Sequence, residues 1–138
     1  MDVDFWPLLF SFQGRINRAK YWIATITYIS VTIALVGLGF FFRFDTIFFV
    51  IAAIVFIALT VSGVAVGLKR LHDRDMSGWW LLVFYLLPAV LDGIGRALGV
   101  PIVFSLAGSA LSIWALVVLG FLRGTPGANQ YGPDPLGV

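Results

Sequence analysis

The sequence contains neither cysteine nor glutamate, and it has a single histidine among 138 residues. Without cysteine there is no disulfide framework, no thiolate chemistry and no cysteine-bound metal. Charged residues make up only 12% of the chain, about half of the roughly 25% that is usual in soluble domains. The formal net charge of +2 is too small to indicate a nucleic-acid partner. These shortages exclude a soluble globular domain, and we expect no cofactor and no metal.

Hydrophobic residues make up 60% of the chain, and the mean hydropathy is +0.99. Four apolar runs are separated by short polar segments, and about 20 helical residues cross the hydrocarbon core of a bilayer. We therefore predict an all-α integral membrane protein. It is a four-transmembrane-helix bundle in a single domain, with membrane helices at residues 22–42, 47–68, 79–95 and 102–122. The third run is uncharged only from Trp79 to Leu91, so we extend that helix to about Gly95.

Three polar segments remain: an interfacial or cytoplasmic start at residues 1–21, a loop at 69–78 and a tail at 123–138. Seven of the nine Lys and Arg residues lie in these segments, and only Arg43 and Arg96 lie in the other two connections. The positive-inside rule then places both termini and the 69–78 loop in the cytoplasm. The aromatic residues at positions 5–12 favour an amphipathic N-terminal segment along the membrane interface.

Basic residues beside a membrane helix suit anionic headgroups, because guanidinium groups bind phosphates and carboxylates with paired hydrogen bonds. Arg15 and Arg18 are three positions apart and would share one face of a helix. We predict that five basic residues bind a partner protein or an anionic lipid headgroup: Arg15, Arg18, Lys69, Arg70 and Arg74. The alternative is that these residues only fix the topology.

The acidic, amide and hydroxyl residues of the same segments are predicted to form a structural polar network: Asn17, His72, Asp73, Asp75, Ser77, Asn129 and Asp134. Asp73 and Asp75 would neutralise nearby arginines, and His72 would hydrogen-bond between loops. Ser77 would cap the third helix. One His and two Asp residues make a poor ligand set for a metal. The prolines around Asp134 favour a tail docked on the basic segments over a mobile tail.

Three motifs in this order resemble domain-of-unknown-function family 805: Gly14-Arg15-Ile16-Asn17-Arg18 followed by Tyr21-Trp22, then Lys69-Arg70-Leu71-His72-Asp73 with Ser77-Gly78-Trp79-Trp80, then Gly127 to Asn129 with Tyr131-Gly132-Pro133-Asp134-Pro135. The resemblance covers nearly the whole chain. It implies a multi-pass protein of the bacterial inner membrane and supplies no activity. It also implies that eight residues matter to the shared design: Arg15, Arg18, Arg70, His72, Asp73, Ser77, Asn129 and Asp134.

The sequence indicates an architecture more clearly than a function. We interpret the chain as a non-enzymatic accessory or organising subunit, whose cytoplasmic charged face binds a partner protein or anionic lipid. A small transporter or channel is the alternative, which needs Asp92 and Arg96 at membrane depth rather than at the interface. A third reading is a membrane enzyme that acts on a lipid-borne substrate through His72 and Asp73.

Overall fold

The computed structural model describes residues 4–137, and its regular structure over that range is helical. Residues 1–3, which begin the predicted interfacial segment, and residue 138 of the tail lie outside the described residues. Within residues 4–137 there are five α-helices: α1 (Phe5–Phe10), α2 (Arg18–Phe41), α3 (Thr46–Asp73), α4 (Leu87–Ala97) and α5 (Pro101–Leu116). A π-helical turn, Leu82–Leu86, leads into α4, and a second, Val117–Phe121, follows α5. The chain is therefore all-α, as predicted.

Three of these helices have the length and composition of membrane spans. They are α2 with 24 residues, α3 with 28, and α5 with its π-helical turn, together 21. Within the described chain, only 11% of the most apolar stretch of α2 and of α3 is buried. Their apolar side chains therefore face outward, and a lipid bilayer is the solvent that suits such a surface.

The fourth predicted span corresponds to the shortest helical segment. The π-helical turn has 5 residues and α4 has 11, about 24 Å together at the usual helical rise. This segment packs against α5 as a helical hairpin, closed by a turn at Leu98–Val100. Gly95 has no room for a side chain because Phe104 packs against it. Pro101 opens α5, where its missing N–H is tolerated.

Helix α3 continues past the end of its apolar run. We predicted a loop at residues 69–78, but α3 ends at Asp73, so the connection to the next helix begins at Arg74. The polar residues of this last turn remain helical because most of them find partners within the protein. Arg18 is the first residue of α2, so Arg15 lies before the helix. The shared helical face predicted for Arg15 and Arg18 is therefore wrong.

The buried core lies at one end of the molecule, where the N-terminal segment, the end of α3 and the tail meet. One cluster joins the end of α3 to the hairpin that contains α4 and α5: Leu71, Leu81, Phe84, Ala115, Val118 and Leu119. A second cluster packs α1 and the following segment onto α2 and α3: Leu8, Ile16, Ala24 and Val66. The polar residues singled out from the sequence surround these two clusters.

Candidate functional site

Two arginines share one aspartate in the interior of this end. Asp73 Oδ1 accepts hydrogen bonds from Arg15 Nε at 3.2 Å and Nη2 at 3.1 Å. Asp73 Oδ2 accepts from Arg70 Nη1. The three side chains, which we call the buried ion triad, are 1%, 5% and 0% exposed for Arg15, Asp73 and Arg70. The triad carries one net positive charge, so its remaining N–H groups need further acceptors.

Carbonyl groups of the tail provide the acceptors for Arg15. Its Nη1 donates to Gly127 O at 2.7 Å and to Gly132 O at 3.3 Å. Its Nη2 donates to Thr125 O at 2.7 Å. The tail is therefore docked on the N-terminal segment, as predicted. The planar guanidinium is suited to this role, because it spreads several donors in fixed directions.

Arg70 binds the end of the last long helix. Its Nε donates to Leu119 O at 2.7 Å, and its Nη2 donates to Leu122 O. The π-helical turn Val117–Phe121 widens the helix there, and its wider hydrogen bond, from Leu122 N to Val117 O, measures 3.0 Å. The last carbonyls of a helix have no partner inside it, and positive charge is favourable beside them. Arg70 supplies both the donors and the charge.

Three more carbonyls lie between and after those of Leu119 and Leu122, and they also accept hydrogen bonds from side chains that come earlier in the chain. The pairs are Trp22 Nε1 to Gly120 O at 2.9 Å, Arg18 Nη1 to Phe121 O at 3.0 Å, and Arg74 Nη1 to Arg123 O at 3.1 Å. Five successive carbonyl groups, from Leu119 to Arg123, are thus bound by side chains from elsewhere in the chain.

The tail provides hydrogen-bond donors for the last carbonyls of α3. Thr125 donates to Asp73 O through its N–H at 2.8 Å and its hydroxyl at 3.1 Å. Asn129 Nδ2 donates to His72 O at 2.8 Å. The rings of His72 and Tyr131 stack in parallel with centroids 3.8 Å apart. Thr125 and Tyr131 were not candidates from the sequence, and their residue types alone carry no signal for these contacts.

Asp134 organises the tail itself. Its two carboxylate oxygens accept from the Leu136 N–H and the Gly127 N–H, each at 2.9 Å. The hydrogen bond from Leu136 is the main reason why the pKa of Asp134 lies below its usual value, and the charges of Arg15 and Arg123 lower it further. Asp134 was predicted as a member of the polar network, and its direct hydrogen bonds are to backbone amides.

Three other predicted network residues each accept one hydrogen bond through their side chains. Asn17 caps α2, Asp75 accepts from the Gln130 side chain, and Ser77 Oγ accepts from the Trp79 N–H; the distances are 2.9, 3.1 and 3.4 Å. Each of these contacts fixes a loop or a helix start at the end of the molecule that holds the triad.

Lys69 joins α1 to α3. Its side chain is buried, and Nζ donates to Pro7 O at 2.7 Å and to Leu8 O at 2.6 Å. Lys69, Arg15 and Arg70 therefore use their donors within the protein, although the sequence suggested all three for headgroup binding. Arg18 is exposed and Arg74 is half-buried, and headgroup contact by these two stays a prediction.

A groove opens beside the triad, between the tail and the ends of α2 and α5. Its cavity volume is about 490 Å³. Its charged lining residues are Arg18, Arg123, Asp73 and Asp134, and Trp22 contributes apolar lining. From the sequence, Arg123 contributed only to the charge count that set the topology. The groove is the candidate ligand site on this face.

The two residues proposed for catalysis differ: the Asp73 oxygens are paired, whereas the buried Nδ1 of His72 makes no hydrogen bond within residues 4–137. His72 lies flat on Tyr131, and both oxygens of Asp73 are bound by arginines. Over residues 4–137, no group of three or more His, Cys, Asp or Glu side chains could hold a metal ion.

Asp92 and Arg96 form an ion pair at the other end of the molecule. Arg96 Nη2 lies 2.7 Å from Asp92 Oδ2, and the Ser105 hydroxyl donates to Asp92 Oδ1 at 2.7 Å. The Arg96 side chain is 74% exposed. The pair joins the last turn of α4 to the first turns of α5, close to the hairpin turn.

These features define a helical membrane protein most of whose charged residues gather in one network at one end of the helices. The chain belongs to the family described as a protein of unknown function, DUF805, whose family model matches residues 9–133. The family predicted from the motif order is confirmed.

Three proteins of Escherichia coli strain K12 are similar to this chain. The uncharacterized protein YiiR is 33% identical, over 97% of this chain and 90% of its own length. The inner membrane protein YhaH is 30% identical, over 90% of this chain and 86% of its own length. The inner membrane protein YhaI is 27% identical, over 90% and 85%. No solved structure matches the chain.

Proposed function

We propose that this protein is a non-enzymatic accessory or organising protein of the bacterial inner membrane, whose cytoplasmic face binds anionic lipid headgroups. The observation that carries the proposal is the contrast between two sets of basic residues. Arg15, Lys69 and Arg70 are buried and held by the protein's own acceptors, whereas Arg18 and Arg123 are exposed beside the groove.

The proposal includes a topology with four spans and both termini in the cytoplasm. The N-terminal segment, the end of α3 and the tail contact one another through Arg15, Asp73 and Thr125, which favours an even number of crossings between them. Seven of the nine Lys and Arg residues belong to these segments, as the positive-inside rule expects of a cytoplasmic face. The segment Leu82–Ala97 would be the third crossing.

Charge pairing supports a surface that attracts anions. Over residues 4–137, the ion pairs join Arg15 and Arg70 to Asp73, and Arg96 to Asp92. Within that range, five basic residues of the same face have no carboxylate within ion-pair distance: Arg18, Lys20, Lys69, Arg74 and Arg123. Lys69 is buried on the carbonyls of Pro7 and Leu8, which leaves the other four. A basic residue near an anionic membrane surface contributes about 1 kcal/mol to binding.

The test compares the lipids that remain with the protein after extraction into polymer-bounded native nanodiscs, measured by mass spectrometry. We expect the wild-type protein to be enriched in phosphatidylglycerol and cardiolipin relative to the bulk membrane. Substitution of Arg18, Lys20, Arg74 and Arg123 by Gln should remove that enrichment. The matched control substitutes Arg43 and Arg96, which the proposal places on the other side of the membrane, and should keep it.

Equal enrichment in the fourfold variant and the wild type would overturn the lipid proposal. The lipid proposal would also be overturned if the fourfold variant kept the lipids of the wild type but lost a protein that co-purifies stoichiometrically with the wild type and with the control. That second outcome would favour the partner-protein interpretation of the same surface.

A further inference from the structure

We infer that the groove between the tail and the ends of α2 and α5 binds the phosphate group of one anionic phospholipid. The inference rests on the proposed function and narrows it from a charged surface to one site. The groove's volume of about 490 Å³ falls within the range of about 300 to 1,000 Å³ that is typical of sites for small ligands.

The arginines at the groove have donors to spare. Arg18 uses Nη1 to bind Phe121 O and makes no other side-chain hydrogen bond within the described chain. The Arg123 side chain makes none within residues 4–137, where only its carbonyl is bound, by Arg74. A phosphate placed between the two guanidinium groups would receive charge-assisted hydrogen bonds from both. These bonds are the strong kind, and arginine is well shaped for a phosphate.

The acidic residues of the groove are already engaged. Asp73 is bound by Arg15 and Arg70, and the Asp134 oxygens accept from two backbone amides. Arg18, Arg123, Asp73 and Asp134 line the groove. Arg15 and Arg70 do not line it but pair with Asp73, so the six groups together carry two net positive charges. A singly charged phosphodiester fits this balance. The carboxylates of Asp73 and Asp134 would repel the phosphate, but each is already bound by donors of the protein.

The apolar edge of the groove distinguishes a lipid from a free phosphate. Trp22 meets Phe121 edge to face, with ring centroids 5.5 Å apart, and Trp22 Nε1 is fixed on Gly120 O. From these residues the apolar surfaces of α2 and α5 begin. A headgroup in the groove would therefore have its acyl chains along the two helices. Tryptophan at such a boundary is typical of the membrane interface.

The experiment titrates the purified full-length protein, in a neutral detergent, with short-chain phosphatidylglycerol and follows stoichiometry by native mass spectrometry. We expect one saturable lipid for each chain. Arg18→Gln and Arg123→Gln should each weaken binding roughly tenfold, as the loss of one charge-assisted hydrogen bond implies. Ala19→Phe, which fills the groove without a change of charge, should also weaken it. Arg43→Gln, at the far end of α2, should leave it unchanged.

Parallel titrations with short-chain phosphatidylcholine and with inorganic phosphate identify the source of the phosphate group. Weak binding of both supports the anionic lipid, whereas inorganic phosphate that binds as tightly as the lipid overturns it. Unchanged affinity in Arg18→Gln, Arg123→Gln and Ala19→Phe would also refute the groove. In that case the nanodisc experiment separates the two proposals. If the variant with four Gln substitutions still loses its enrichment in anionic lipids, the proposed function stands and only the groove is refuted.

Discussion

Arg15 donates two hydrogen bonds to a single oxygen of Asp73, although the two residues are 58 positions apart in the sequence. The other Asp73 oxygen is taken by Arg70. One carboxylate therefore pairs with guanidinium groups from the N-terminal segment and from α3, while the backbone carbonyl of the same residue accepts from Thr125 of the tail. Three separate parts of the chain meet at this one residue.

Replacement of Asp73 by Asn should destabilise the protein severely. The substitution leaves two buried arginines without a counter-charge, and removal of one partner from a buried ion pair costs about 3 to 5 kcal/mol. Thermal unfolding in mild detergent, followed by circular dichroism, measures the change. Asp75→Asn is the matched control, because Asp75 is exposed and bonds only to Gln130 in the described chain. Similar unfolding temperatures for the two variants would contradict the role of the triad.

Asp134→Asn should loosen the tail at neutral pH. An Asn side chain has one carbonyl oxygen, so the Leu136 and Gly127 amides can no longer both be bound by an oxygen of their own. Hydrogen exchange of residues 125–137 should become several-fold faster than in the wild type. Gln130→Ala, which removes an exposed tail contact, serves as the control and should change this exchange little.

The pKa of Asp134 also fixes how the tail responds to pH. Because this pKa is lowered in the folded protein, its contribution is complete above the ordinary aspartate pKa of about 3.9. It is lost only as the pH falls through the lowered value. Protection of the tail, corrected for intrinsic exchange, should therefore be constant from pH 8 to pH 5. Loss of protection within that range would show that another group controls docking.

Lys69→Met should release α1 from α3. The substitution keeps an apolar stem but removes both hydrogen bonds to the carbonyls of Pro7 and Leu8. The chain has no cysteine, so a single Leu8→Cys substitution can report on the burial of this position. Its reaction with a maleimide should be roughly tenfold faster with Lys69→Met, as the loss of a charge-assisted hydrogen bond implies. The matched control is Leu8→Cys with Lys20→Met, which should react at the rate of Leu8→Cys alone. If Leu8→Cys reacted equally fast with and without Lys69→Met, the contact would be contradicted.

Three further single-cysteine variants test the topology. In intact spheroplasts, a membrane-impermeant maleimide should label Phe44→Cys and Leu98→Cys, which lie in the turns after α2 and α4. It should label Gln130→Cys only after the membrane is opened. Labelling at position 130 from outside would overturn the cytoplasmic tail. An unlabelled position 98 would show that the segment Leu82–Ala97 does not cross.

Hydropathy was sufficient to predict where the long helices lie, because the length of a span follows from bilayer thickness. The predicted spans at 22–42 and 47–68 fall almost entirely within α2 and α3, and 102–122 falls within α5 and its π-helical turn up to the last residue. The end of α3 was not predictable in this way. A polar block usually ends a membrane helix, but here Arg70 and Asp73 bind each other and the neighbouring helix.

The polar residues of the site were predictable as a set, whereas their partners were not. Charge alone pointed to Asp73 and Asp75 as partners of the nearby arginines. The structure brings Asp73 together with Arg15 and Arg70, whereas Asp75 forms no ion pair within residues 4–137 and accepts from Gln130 instead. Most other acceptors are backbone carbonyls, which every residue carries, so side-chain identity cannot reveal them. The burial of Lys69 under α1 has the same origin, since its acceptors are the carbonyls of Pro7 and Leu8.

The row of carbonyls from Leu119 to Arg123 has a consequence for biogenesis. Every side chain that binds them, from Arg18 to Arg74, precedes them in the chain. The ribosome therefore delivers the donors to the membrane before the acceptors. The order of synthesis thus matches the order in which these bonds can form.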